Sequence, residues 1–238
     1  MRKSRRTCVT LQRWFVAVSV VVLAASGYSC GEDAPLEPEF VDLPPSSGEG
    51  SGTLRVVVEV EGSSGATPET EFFATVMDTT GAPVAARVEI SGRFGTVVLS
   101  EEAPGTYSAV RPGYETGSYT LRVESDAGNV TGVTTLAPGI HAIVSPEVSE
   151  VVEANTALNV RWKRTTPSAS CRLKTRDYDS DWIFGDPGTL WTPTIGNPPR
   201  SDQRVEVTRR NFQIPAGALI NSLFSVGVCR SVEPVVAQ

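Results

Sequence analysis

Few residues in this 238-residue chain have the type and spacing to do chemistry. His141 is the single histidine, so any hydrolase triad would have to use it, yet no nucleophile motif stands near it. Read as a structural residue, it is a partly exposed hinge between two halves of the chain. Asp177, Asp179 and Asp181 form D-x-D-x-D, with Asp186 close behind. Alternating acids in a loop can converge on calcium, which takes 6–8 oxygen ligands. The spacing departs from a helix–loop–helix calcium site, since Trp182 and Gly188 stand where that loop needs Gly and Glu; a solvated turn is the other reading. Calcium is thus the one cofactor to weigh, and otherwise none is expected. The same stretch, 177–200, carries Tyr178, Trp182, Phe184 and Trp191 among Gly and Pro. Exposed rings of this kind stack on sugars or anchor a protein partner, and the plainer alternative is that they cover a sheet edge.

The four cysteines lack the CxxC spacing of a zinc site. No glycine-rich loop opens a helix after a strand, so nucleotide binding has no support. Arg161, Lys163, Arg172, Lys174 and Arg176 alternate along two strand-like runs and read either as a basic stripe or as ordinary solvated faces.

What must position these residues begins with the first thirty. Arg2, Lys3, Arg5, Arg6 and Arg13 form a basic head, and Trp14 to Ala25 is apolar apart from Ser19. That run is shorter than the ~20 apolar residues a bilayer-crossing helix needs, and it fits the hydrophobic core of a signal peptide. Small residues then lead to Ser29 and Cys30. The arrangement resembles a bacterial lipoprotein signal, which implies cleavage before Cys30 and lipid on its thiol. It further implies an outer-membrane or cell-surface location, with the membrane reached through the lipid. Ordinary cleavage after Ala25 or Gly27, giving a secreted or periplasmic soluble protein, is the alternative.

With residues 1–29 removed, five basic residues go and no acid does, so the formal charge moves from −6 to −11. A chain this acidic excludes a nucleic-acid-binding role. Residues 30–52 are acidic and rich in Pro, Gly and Ser, with little to bury, and are expected to be a disordered tether. Cys171 and Cys229 remain as an even pair in an exported protein and are expected to form a disulfide. One feature sits badly with that bridge: if Phe224, Val226 and Val228 face the core, Cys229 faces the other way.

From 53 to 141 the apolar residues alternate. Leu54, Val56, Val58 and Val60, then Phe72, Ala74 and Val76, then Val84 to Ile90 each mark one face of a strand. Further short runs at 96–99, 106–110, 119–123 and 130–135 are separated by Gly, Pro or Asp, the spacing of a sandwich. The run FFATVMDTTGAPVAARVEISG, with the later Gly105-Thr106-Tyr107 and Gly117-Ser118-Tyr119, resembles bacterial Ig-like modules, including the carboxypeptidase regulatory-like type.

From 142 to 238, Leu158, Val160 and Trp162 alternate, as do Cys171, Leu173 and Thr175, and Val205 and Val207. The segment SPEV…ANTALNVRW resembles the opening of fibronectin type III-like domains, with Trp162 as an early core residue. The expected fold is therefore all-β: two tandem Ig-like antiparallel sandwiches, 53–141 and 142–238, behind a signal peptide and a tether. Such modules imply a non-catalytic role in binding, adhesion or scaffolding, with a protein or glycan as partner. A carbohydrate-binding module working through 177–200 and an enzyme of unrecognised type are the alternatives.

Overall fold

The computed structural model describes residues 46–63, 67–194 and 198–236, and within them the chain is all-β with no α-helix. The signal-like stretch, Cys30 and the tether up to residue 45 lie outside the described residues. In chain order the strands of the first half are β1 (Glu49–Gly50), β2 (Arg55–Ser63), β3 (Glu69–Met77), β4 (Arg87–Gly92), β5 (Gly95–Val98), β6 (Ser100–Ala103), β7 (Thr106–Pro112), β8 (Ser118–Ser125) and β9 (Gly128–Leu136). Those of the second half are β10 (Ala142–Ser145), β11 (Val151–Val152), β12 (Asn159–Lys163), β13 (Ser170–Thr175), β14 (Ile183–Phe184), β15 (Thr189–Trp191), β16 (Val205–Gln213), β17 (Leu223–Val232) and β18 (Val235–Val236).

Period-two alternation decides which side of each strand is buried. Residues along β2 and β3 alternate between buried and half-exposed without a break, as Val56, Val58, Val60, Phe72, Ala74 and Val76 turn inward. The Asp78–Val84 link is closed by the Asp78 carboxylate, which accepts from the Thr80 and Ala82 amides and the Thr80 hydroxyl. The Tyr107 hydroxyl, reaching in from β7, donates to Val84 and accepts from the Ala86 amide, so the two tyrosines of the Gly-x-Tyr pairs are core residues.

An antiparallel five-stranded sheet, β1-β9-β8-β4-β5, covers one side of the first core. A three-stranded sheet, β10-β12-β15, covers the second, where Trp162 packs with Val160, Leu173, Val205 and Val207. The opposite wall of both cores is one continuous eight-stranded sheet, β14-β13-β16-β17-β2-β3-β7-β6. Its junction is the parallel pairing of β17 with β2, from Leu223 opposite Val57 to Cys229 opposite Ser63. Strand β17 thus belongs to two cores: Phe224 and Val226 lie in the first and Val232 in the second. The described residues accordingly fall in one compact unit.

Two expectations are corrected. Residues 46–52 are not a disordered tether. Glu49 and Gly50 pair with Thr131 and Val130, the Ser47 amide donates to Ile214, and the Gly52 amide donates to Gly217. The glycines there allow close approach: a Cβ on Gly50 would lie 2.6 Å from the Gly217 carbonyl, and Gly48 adopts φ +83°. Nor do Cys171 and Cys229 form a disulfide. Strand β16 stands between their strands, with Cys171 opposite Arg209 and Cys229 opposite Thr208. Two strand spacings are about 10 Å, beyond the ~7 Å Cα reach of a bridge. The two residues also point to opposite faces of the sheet, because Cys171 shares a face with Arg209 and Val228.

Candidate functional site

The inner face of the long sheet holds a polar cluster between the two apolar cores. Val205 and Val207 alternate into the second core, and the next inward position on β16 is Arg209, fully buried opposite Val228. Its Nε donates to the buried Asp186 carboxylate at 2.6 Å, one terminal nitrogen donates to the Gly139 carbonyl at 2.7 Å, and the other donates to the Thr166 carbonyl. Asp186 also accepts from Trp162 Nε1 at 2.9 Å and from the Ser168 amide and hydroxyl, and it pairs with Arg164 at 3.1 Å. Burial alone would raise this carboxyl, but the Arg209 hydrogen bond and charge, with the Trp162 bond, hold it below the usual carboxylate range. Both carboxylate oxygens of Asp186 are engaged, tying 162–168 to Arg209 on β16, while Arg209 itself holds Gly139, so the cluster is structural.

His141 belongs to the same cluster. It is only 2% exposed rather than a partly exposed hinge, with Nε2 3.1 Å from the Val207 carbonyl and no hydrogen-bond partner at Nδ1. Burial first, and then the Arg209 charge, lowers its pKa from 6.5 to about 4. Cys171 lies across from Arg209, and burial together with the Asp186 charge pushes its thiol up to about 12, so it stays protonated and unreactive.

A pH dependence follows from His141. The unfolded chain binds a proton near pH 6.5 that the folded chain refuses down to about 4. The histidine's contribution is therefore complete above 6.5 and is lost as the pH is lowered through that window, by on the order of 3 kcal/mol. Glu61 on β2 works the other way. Burial, together with Glu59, Glu206 and Glu71, outweighs the opposing charge of Arg210 and raises its pKa from 4.5 to about 7. Its contribution is present below 4.5 and is lost as the pH rises to about 7. Thermal unfolding at stepped pH should thus show a steeper acid loss for Glu61→Gln than for the wild type, and a flattened one for His141→Gln. An unchanged profile in His141→Gln would remove the histidine from this role.

The outer face of the long sheet gathers a different set. Register places Phe184, Ser170, Arg210, Gly227, Glu61 and Glu71 in one row across six strands, β14 to β3, with Phe212, Ser225, Glu59 and Phe73 in the next. Small residues on β17 let Arg210 reach across to Glu59 at 3.2 Å. Trp182 lies over Arg210, its ring centroid 4.0 Å from the guanidinium carbon, with Arg172 at 5.9 Å. Phe184 is 63% exposed and meets Phe212 edge-on at 6.4 Å.

Of the four aromatic residues named in the sequence, Trp182 and Phe184 lie on this outer face, Trp182 against Arg210 and Phe184 against Phe212. Tyr178 sits in the turn after β13, its amide bonded to the Thr175 hydroxyl, roughly 15 Å along the strand from Phe184. Trp191, 60% exposed, is on β15 of the three-stranded sheet and points away from the core that its neighbour Leu190 packs against. It is on the opposite side of the sandwich. Phe212, Arg210 and Glu59 complete the patch. The alternation of Phe212 and Arg210 on β16 was the signal for them.

The basic stripe divides in the same way, with Arg161 and Lys163 on β12 of the three-stranded sheet and Arg172 and Lys174 on β13 of the long one. The three loop acids do not converge. Asp179 holds Arg172 in a two-pronged pair at 2.7 and 2.5 Å, Asp177 is bound by Arg200 at 2.6 Å, and Asp181 is exposed. Arginines supply the positive charge that a cation would have supplied, and no three acids, histidines or cysteines among the described residues group to hold a metal.

No protein-family model and no curated protein matches the chain. Among solved structures, the fibronectin(III)-like modules of Clostridium thermocellum CbhA align with it over 76% of this chain and 94% of theirs, at 15% identity. The TM-score is 0.26, and the fold is defined by the strands and register described above.

Proposed function

We propose that this chain is an exported, lipid-anchored, non-catalytic protein of a bacterial envelope, which presents a β-sandwich body for binding or scaffolding through the outer face of the long sheet. One observation carries the non-catalytic reading. The groups best suited to chemistry, His141, Cys171, Asp186 and Arg209, are buried and committed to structure. The half-exposed rings and ion pairs of the outer face are instead presented to solvent. Export and the anchor are supported by the basic head, the apolar run and Cys30.

The anchor is tested by detergent-phase partition of the protein made in a bacterial host. Wild type is expected in the detergent phase and Cys30→Ser in the aqueous phase. A Cys30→Ser protein that still enters detergent would contradict the lipid.

A further inference from the structure

We infer that Arg210 is a proton-operated switch on the outer face: it pairs with Glu59 while Glu61 carries a proton, and swings to Glu61 when that proton leaves to solvent. The switch would regulate the surface assigned above to binding, and its use to the protein rests on that reading.

Register sets up the choice of partner. Arg210 stands opposite Gly227, Gly227 opposite Glu61, and Glu61 opposite Glu71. Gly227 has no side chain, so nothing on β17 separates the guanidinium from the carboxyl straight across, two strand spacings or about 10 Å away at the Cα atoms. Arg210 nevertheless passes that acid and bonds Glu59, one pleat along β2, at 3.2 Å. That choice fits an uncharged Glu61. Glu71 faces it directly from β3, Glu69 lies on the diagonal, Glu59 precedes it on β2, and β16 adds the charge of Glu206. From β17 the nearest titratable side chain on this face is Cys229, opposite Ser63. Carboxylates placed directly opposite one another repel, and burial first, then these acids, holds the Glu61 proton up to about pH 7.

The balance reverses once the proton is gone. Glu59 is 45% exposed, so water solvates its charge when the arginine leaves. A charge on Glu61, where burial opposes ionisation, costs more to leave unpaired. The other cations near the row are engaged: Arg172 and Lys174 with Asp179, and Arg204 with Glu206 at 2.6 Å. Arg210 is the one that can answer. The group of Glu59, Glu61 and Arg210 thus passes from neutral to one net negative charge as the pH rises, and Glu59 is freed on the surface. Trp182 reports the movement, because its ring centroid lies 4.0 Å from the Arg210 guanidinium carbon.

The test is tryptophan emission of the full-length protein in detergent, titrated between about pH 5.5 and 8, where the ordinary carboxylates stay ionised. His141, with its pKa near 4, stays neutral throughout. The wild type should show one transition centred at about pH 7. Trp182→Phe should lose it, which assigns the signal. Glu61→Gln should lose it as well, locked in the low-pH pairing; glutamine copies the shape of the protonated acid, so its far-UV circular dichroism should match the wild type. Glu59→Gln separates movement from mere titration. With no second partner to leave, Arg210 stays by Glu61 and most of the amplitude should disappear. Four results would overturn the inference: no transition in the wild type, a transition that survives in Trp182→Phe, one that survives in Glu61→Gln, or full amplitude in Glu59→Gln. No partner enters this assay, so its failure would leave the binding role of the face standing, and a failure of that role would leave the switch standing.

Discussion

Replacing Asp186 with Ala is expected to cost about 3–5 kcal/mol, because it leaves the Arg209 guanidinium buried without its counter-charge. For a body of this size that is a fall in melting temperature on the order of 10 °C. The loss has three sources: the 2.6 Å ion pair with Arg209, the Trp162 indole bond at 2.9 Å, and the two bonds from Ser168. Removing both charges with apolar residues of similar volume, Asp186→Leu with Arg209→Met, should cost less than the sum of the single changes, since neither charge is then left stranded. Additive single effects, or an Asp186→Ala protein that melts with the wild type, would show that the cluster does not hold the loops to β16.

The second large effect is expected at Phe224. Its ring is fully buried in the first core, yet it is carried by β17, a strand of the second half. Phe224→Ala removes a buried ring between Val58 of β2 and Gln213 of β16, and should cost about 3–5 kcal/mol. The distinguishing feature is where the cost appears. Because β17 lines both cores, this substitution should lower the unfolding midpoint of both halves together. A loss confined to residues 53–141 would mean that β17 is not energetically shared.

The strands were legible because each buries one face. The alternations Leu54–Val60, Phe72–Val76, Leu158–Trp162 and Cys171–Thr175 all turn inward as their period demands. The pairing of β17 with β2 was not legible, since a Val-rich strand reads the same whether its neighbour is local or 160 residues away, parallel or antiparallel. The polar cluster left a trace that composition hides. Arg209 follows Val205 and Val207 at an inward position, and a buried arginine requires a buried acid. Which acid it would be could not be read, because Asp186 looks like its neighbours Asp177, Asp179 and Asp181 in sequence. Parity along β17 already placed Cys229 on the face opposite Val228, and the distance across β16 completes the case against the bridge. In the aromatic loop, the sequence supplied the rings but not their sides. Only the placement of β14 and β15 in different sheets separates Phe184 from Trp191.

One sheet, closed by β17 against β2, is expected to make the two halves a single cooperative body. The most direct measurement is equilibrium denaturation followed by two probes at once. Tryptophan fluorescence reports the second half, which holds Trp162, Trp182 and Trp191, and hydrogen exchange of the β3 and β8 amides reports the first. One shared sheet should give coincident transitions with a single midpoint. A tryptophan transition that is complete while the β3 and β8 amides remain protected would contradict it and leave two independent sandwiches.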